Sequence, residues 1–307
     1  MRGKLQPFLH LFFLIIHNKH MILTDFVTDM AVEAAEAAGL GELSKQTELA
    51  HGIVERYLNV KSLELSKRIG RERGVYITFD CPRSIYDSER ALRALAGYMS
   101  SAVAGLIGTV RKSTPVLVIG LGNGGVIADA LGVRTVDGVE VTKQYLQSYS
   151  KQHVCAMTTG VFGTTGIQSA DIASAVTDRI KPCAVILIDS LATSSISRVG
   201  TSFQISTAGI SPGGGIGQDK QRIDKSVLGV PTIAIGVPLM LSMRTAIYDF
   251  VKYYSEQIGV GMDEYRVRAC MVDKNLSNLV VAPKEIDFFV EASAGVIATA
   301  LNRTFGK

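Results

Sequence analysis

Residues 115–132, PVLVIGLGNGGVIADALG, limit the folds open to this chain more than any other stretch. The aliphatic run Val116–Ile119 stops at Gly120, a glycine-rich turn follows, and Asp129 leads into a segment with helical character. A short apolar run bounded by glycine reads as a buried parallel strand. Open α/β sheets bind ligands at the C-terminal ends of such strands. The design recurs at Cys183–Ile188, an apolar run followed at once by Asp189. Further strands are expected at 74–80, 153–160, 202–207 and 232–238, with a short one at 137–143. Helices are expected from Thr28 or Asp29 to Gly39, over 84–110, 171–181 and 239–257, and from Pro283 to Leu301. In the second of these, Leu92, Leu95, Met99, Val103 and Leu106 recur at the helical period and form one core-facing stripe. Residues 41–73 are charged and weakly periodic, which predicts helical or irregular surface. Strands alternating with helices give an α/β fold, a three-layer αβα sandwich with a mostly parallel central sheet. No repeat or linker cuts the chain, so residues 30–307 read as a single domain.

Bulk properties narrow the function classes. A net charge of +4, with Lys and Arg scattered, gives no electrostatic footprint for direct nucleic-acid binding. Cys81, Cys155, Cys183 and Cys270 have no metal-ligand spacing and read as reduced thiols of a cytoplasmic protein. The leader FLHLFFLII, residues 8–16, follows Arg2 and Lys4 like a signal peptide. HNKH follows it instead of a small-residue cleavage pattern, and the run is far shorter than the ~20 residues of a membrane span. No membrane attachment is expected; residues 1–20 read either as a misassigned extension before Met21 or as a removable leader.

Three motifs carry weaker readings, and the first of them stays as the runner-up. GLGNGG at 120–125 matches the dinucleotide fingerprint, with Asp137 or Glu140 as the ribose-binding acid. Against it, Asp129 would set a carboxylate beside the bound pyrophosphate. GISPG at 209–213 matches the nucleophile elbow, but Pro212 has no N–H to offer an oxyanion hole. His10, His17 and His20 crowd the leader, and no H-x-x-x-H or acid pair accompanies them, so no metal and no cofactor is expected.

Asp129 and Asp189 remain. A lone acid after a strand is most simply the N-cap of the next helix, and SLATSS after Asp189 could begin one. Two acids at neighbouring strand ends allow more. Partly desolvated and close together they cannot both ionise easily, so one holds a proton while the other stays charged. That division suits hydrolysis of an amide, one carboxylate deprotonating a water and the other protonating the carbonyl oxygen or leaving nitrogen. Glycine- and threonine-rich loops supply candidate substrate contacts at Gly122, Asn123, Gly163, Thr164, Thr165, Gly166, Gly213 and Gly215.

The blocks LVIGLGN-x5-DALG (117–132), GVFGTTGIQSADI (160–172), VILIDSLATSSISRVGTSFQISTAGISPGGGIG (185–217), LGVPTIAIGVP (228–238) and VVAPKEIDFFVEASAGVIATALN (280–302) resemble the germination proteases of endospore-forming bacteria. The strand-GLGN-acid unit is more distantly similar to hydrogenase-maturation proteases, which share the three-layer fold. The resemblance implies an atypical aspartic endopeptidase that degrades the small acid-soluble proteins coating spore DNA, acting in the forespore or spore core. Its essential acids fall here on Asp129 and Asp189. It further implies a homotetrameric zymogen that removes its own N-terminal segment. The processing context T-D-[apolar]-A-x-E is matched by Thr28-Asp29-Met30-Ala31-Val32-Glu33, with cleavage between Asp29 and Met30, so residues 1–29 read as leader and prosegment. The family's Trp after GLGN and its Thr-Pro before the acid are replaced by Gly124 and Ile127-Ala128, which bears on subsite preference. A nucleotide-binding protein and a non-catalytic paralogue are the alternatives.

Overall fold

The computed structural model describes residues 28–109, 114–144, 152–211, 221–263, 266–267 and 279–306. Its strands are β1 Lys45–Glu48, β2 Val54–Val60, β3 Gly74–Asp80, β4 Val116–Gly120, β5 Val154–Thr158, β6 Ala184–Ala192, β7 Ser202–Ser206, β8 Thr232–Ser242 and β9 Val280–Val281. They form one sheet in the order β1-β2-β3-β7-β8-β6-β4-β5, with β9 attached to β8. The longer helices are α1 Ala31–Ala37, α2 Leu63–Ile69, α3 Glu89–Ile107, α4 Leu131–Gly138, α5 Ser169–Ile180, α6 Met243–Gln257 and α7 Ile286–Phe305.

The two halves of the sheet are built differently. From β8 through β6 and β4 to β5 all pairings are parallel. From β8 through β7, β3 and β2 to β1 all are antiparallel. The parallel half is the one expected from the continuous apolar runs, because strands buried on both faces need no alternation. In β4 and β6, Val116, Val118, Ile186 and Ile188 join the core cluster that also holds residues of α3 and α7. Leu117, Ile119, Val185 and Leu187 cluster with Ala170 and Ala173 of α5 on the other face. Over the antiparallel half, Ala31 and Ala35 of α1 and Ile69 of α2 pack on Leu58, Val60 and Tyr76. The result is the expected helix–sheet–helix layering around a mixed sheet.

Helix α3 starts at Ser88, whose hydroxyl accepts the Ala91 N–H at 3.3 Å. Its predicted stripe is inward: Leu95, Met99 and Val103 are fully buried, and Leu92 and Leu106 pack against the same cluster. Burying side chains of this size contributes about 1.5–3 kcal/mol each.

Three expectations are corrected. Residues 41–73 hold the hairpin β1–β2 as well as α2. The period-two signal of β2 is hidden because Arg56 shares the inward face with Leu58 and Val60, its charge satisfied by Asp80 at 2.6 Å. Residues 137–143 are not a strand, since α4 runs through Gly138. Thr142 and Lys143 meet β5 only at Val154: the Thr142 hydroxyl accepts the Val154 N–H at 2.9 Å, and both backbone N–H groups donate to the Val154 carbonyl at 3.1 Å. Finally, β8 continues to Ser242, and α6 begins only at Met243, where the Ser242 hydroxyl accepts the Thr245 N–H at 3.1 Å. Leu239-Met240-Leu241 fits either period, and the cap decides.

Backbone meets backbone where α4 crosses the strand ends. A Cβ on Gly132 would stand 2.3 Å from the Leu121 carbonyl oxygen and 2.6 Å from that of Ile188. Gly132→Ala is therefore expected to cost at least about 1–3 kcal/mol, since a packed backbone must shift. Gly105→Ala in α3, where a Cβ meets nothing within 4 Å, is expected to gain about 0.5–1 kcal/mol. Thermal unfolding of both variants checks the contrast: a Gly132→Ala melting as late as the parent refutes the close contact.

Candidate active site

The site grows from the register of β4 against β6. Gly120 pairs with Ile188, and the Leu121 N–H donates to the Ile188 carbonyl at 2.8 Å. The next residues along each strand are Gly122 and, on β6, Asp189. Gly122 holds φ +99°, and a Cβ there would lie 2.0 Å from the Asp129 carbonyl oxygen and 3.2 Å from Asp129 Oδ1. Only glycine allows the turn and the close approach together. Asp129 Oδ2 accepts the Asn123 N–H at 2.8 Å, so the carboxylate is folded back over the glycine turn. The 3-10 turn Ile127–Asp129 packs against both β6 and β8. Asp129, Gly122 and Asn123 thus gather at the end of β4, next to the Gly120–Ile188 pair that Asp189 follows on β6.

Neither acid is a helix cap. The residue before α4 is Ala130, with no side-chain capping bond. Asp189 lies inside β6, which runs on to Ala192, and its Oδ1 accepts its neighbour's Ser190 N–H at 2.9 Å. Asp189 is 4% exposed, whereas Asp129 is half-buried. The dinucleotide reading also loses ground, because the Asn123 N–H in the glycine turn is held by the Asp129 carboxylate.

The loop after β5 reaches the same edge of the sheet, with the Thr159 N–H donating to the Gly120 carbonyl at 3.2 Å. Residues Phe162–Thr165 form a single exposed helical turn ended by Gly166. The Thr164 and Thr165 hydroxyls both donate to the Val161 carbonyl, at 2.9 and 3.1 Å, so they shape the loop itself. Gly163 faces open space. Gly213 and Gly215 lie outside the described residues.

The chain around Asp29 and Met30 docks beside this centre, an arrangement the sequence signalled only through its spacing. The Asp29 N–H donates to the Ala192 carbonyl at 2.9 Å, and Asp29 Oδ2 accepts the Ala192 N–H at 2.7 Å. Both backbone groups of the last residue of β6 are thereby taken by Asp29. Met30 is fully buried. Glu33, in the first turn of α1, anchors the segment: its carboxylate accepts Thr193 Oγ1 at 2.5 Å, the Ser194 N–H at 2.7 Å and Ser194 Oγ at 2.8 Å. Thr28 Oγ1 donates to it as well. Arg198 Nη1 stands 3.2 Å from Glu33 and its Nε 3.5 Å from Asp80. Burial alone would lower the Arg198 pKa, but Asp80, Glu36 and Glu33 outweigh it and move it up. Gln204 of β7 completes the dock with bonds to Asp29 and Ala31. A polar residue in the middle of SFQIST was the available hint for Gln204; nothing in composition or spacing pointed to Arg198. Among the described residues no cluster of His, Cys, Asp or Glu could hold a metal ion, and no helix is long and apolar enough to cross a membrane.

The profile of the family described as germination protease matches residues 24–273. Among proteins named germination protease, that of Caldanaerobacter subterraneus subsp. tengcongensis is 36% identical over 92% of this chain and 94% of its own length. That of Clostridium acetobutylicum is 30% identical over 90% and 93%. The corresponding protein of Bacillus licheniformis is 30% identical over 90% and 92%. A solved structure, the NiFe hydrogenase maturation protease HycI of Thermococcus kodakarensis KOD1, is similar with a TM-score of 0.33 and 15% identity, covering 66% of this chain and 99% of that one. By the extent of the profile match and the relatives' identity over nearly their whole length, the chain belongs to the germination protease family.

Proposed function

We propose that this chain is an endopeptidase of the spore core that degrades small acid-soluble DNA-binding spore proteins at germination. It is made as a self-processing zymogen, a homotetramer by resemblance to its family, with residues 1–29 as leader and prosegment and 30–307 as the peptidase domain. The observation that carries the reading is the strand register that sets the Gly120–Gly122 turn, with Asp129 folded over it, beside the part of β6 that bears Asp189. On this reading the two carboxylates divide the work on one water. One removes a proton as the water oxygen attacks the peptide carbonyl carbon; the other delivers its single proton to the leaving nitrogen as the C–N bond breaks, so that the pair ends with its proton exchanged between the two acids. Glycine on the turn keeps the floor of the cleft low, and the loop 160–166 is the candidate wall for an extended peptide. No metal or cofactor is needed for these steps.

Family membership supports peptide hydrolysis, and the docking of Asp29–Met30 at the end of β6 supports self-processing at that bond. The test is to incubate the purified full chain at mildly acidic pH and sequence its N-termini over time. Cleavage at Asp29–Met30 is expected in the parent and is expected to slow by about 10²–10⁴-fold in Asp129→Asn and in Asp189→Asn. Variants that cut at the parental rate would make the pair bystanders. A parent that stays intact and also spares a purified small acid-soluble spore protein would overturn the function. Docking is required too: Glu33→Ala leaves Thr193 and Ser194 without their shared acceptor while Arg198 keeps Asp80 and Glu36, a loss worth about 1–3 kcal/mol. In that variant trypsin should nick the chain after Lys45 and after Arg71 sooner than in the parent, and self-cleavage should slow. Unchanged trypsin resistance would refute the anchoring role.

A further inference from the structure

The two ends of the Gln204 side-chain amide grip opposite sides of the bond proposed for self-processing. Gln204 is 7% exposed on β7. Its Nε2 donates to the Asp29 carbonyl at 3.1 Å, and its Oε1 accepts the Ala31 N–H at 2.7 Å. The Asp29–Met30 peptide bond lies between these contacts. Met30 N–H, the amide of that bond, donates to Thr28 Oγ1 at 3.0 Å. Gln204 also belongs to the lateral row that contains Asp189: it pairs with Gly236 of β8, and Gly236 pairs with Asp189 of β6. Residues opposite one another across a sheet share a face, so the two side chains face the same side, two strands or about 10 Å apart at Cα. Satisfying the first amide of α1 would explain the Oε1 contact alone. It gives no reason for a donor on the carbonyl of the preceding bond. A side-chain amide supplies a donor and an acceptor together, whereas a carboxylate only accepts and a thioether does almost neither.

We propose that Gln204 is the residue that grips the scissile peptide in self-processing, with its Nε2–H stabilising the oxyanion that forms on Asp29. The proposal rests on the reading of Asp29–Met30 as the processing bond. In the step, the water oxygen bonds to the Asp29 carbonyl carbon while one water proton passes to a carboxylate of the aspartate pair. The carbonyl electron pair moves onto its oxygen, which Nε2 holds. Collapse restores the C=O, the C–N bond breaks, and the Met30 nitrogen takes the proton. The products are a chain ending in the Asp29 carboxylate and one beginning with the Met30 amine. Removing an oxyanion donor of this kind lowers such rates by about 10²–10³-fold.

Gln204→Glu keeps the acceptor for Ala31 and loses the donor; Gln204→Met keeps the volume and loses both. Two readouts on the full chain separate them, the rate of cleavage at Asp29–Met30 and the hydrogen exchange of the Ala31 amide before cleavage. The glutamate variant is expected to retain Ala31 protection and to cleave about 10²–10³-fold more slowly. The methionine variant is expected to lose Ala31 protection about tenfold or more and to cleave as slowly, with circular dichroism confirming that both variants fold. Parental cleavage by the glutamate variant, or parental Ala31 protection in the methionine variant, overturns this inference and leaves the processing reading standing. A parental chain that never cuts at Asp29–Met30 overturns both.

Discussion

Everything at the candidate site depends on how closely α4 lies on the strands beneath it. The Gly132 carbonyl oxygen stands 2.3 Å from the point a Cβ of Gly120 would occupy, and Gly132 itself has no room for one against Leu121 and Ile188. Two glycines facing each other let backbone touch backbone, so the helix start cannot ride up on side chains. The turn Ile127–Asp129 is pulled down with it against β6 and β8. The same closeness brings Asp129 within reach of the Asn123 N–H. A carboxylate held by the loop it guards has a fixed orientation before any ligand arrives, which is what preorganised acid–base work requires.

A second polar system organises the antiparallel half. Arg56, Asp80, Arg198 and Glu33 form a connected chain of charges, most of it shielded by the sheet and α1. Breaking any link would leave a partly buried charge wanting a partner, which costs more than the link contributes. The network therefore serves location more than stability: it fixes where α1 begins, and so where Asp29 meets Ala192. Cys81 sits beside this network, and burial, reinforced by Asp80, pushes its thiol up to about 12. At that value it is a packing residue, not a nucleophile.

The parallel half of the sheet was legible in the sequence because its strands are buried on both faces. Val116–Ile119 and Ala184–Ile188 need no context to read as strands, and the acids at their ends stood out against the apolar run. The N-cap alternative for Asp189 was equally legible and could be decided only by β6 continuing to Ala192 through its pairing with β8. In the antiparallel half β3 and β7 were also legible, at 74–80 and 202–207, and the hairpin β1–β2 was not. Arg56 and Gln204 are inward-facing polar residues on β2 and β7; Arg56 breaks the alternation by which β2 would be recognised, and Gln204 weakens the signal of β7 without hiding it. Their partners, Asp80 and the segment 29–31, are far away in sequence. Residues that break a local pattern are intelligible only once the fold supplies what they bind.

The dock of the N-terminal segment also sets what cleavage at Asp29–Met30 would leave behind. The two sides of that bond have largely different partners, and the bonds of Thr28 to Glu33 and to the Met30 N–H, with the Gln204 amide, link one side to the other. Upstream, Asp29 holds both backbone groups of Ala192 and Thr28 donates to Glu33. Downstream, Ala31 is held by Gln204 and Glu33 by Thr193, Ser194 and Arg198. Cutting between them therefore removes the upstream set and keeps the downstream one, so α1 stays seated with Met30 buried beneath it. The backbone groups of Ala192 and the Nε2–H of Gln204 would then lose the segment that satisfies them among the described residues. Buried donors and acceptors seldom remain unpaired, so cleavage would oblige these groups to find new partners.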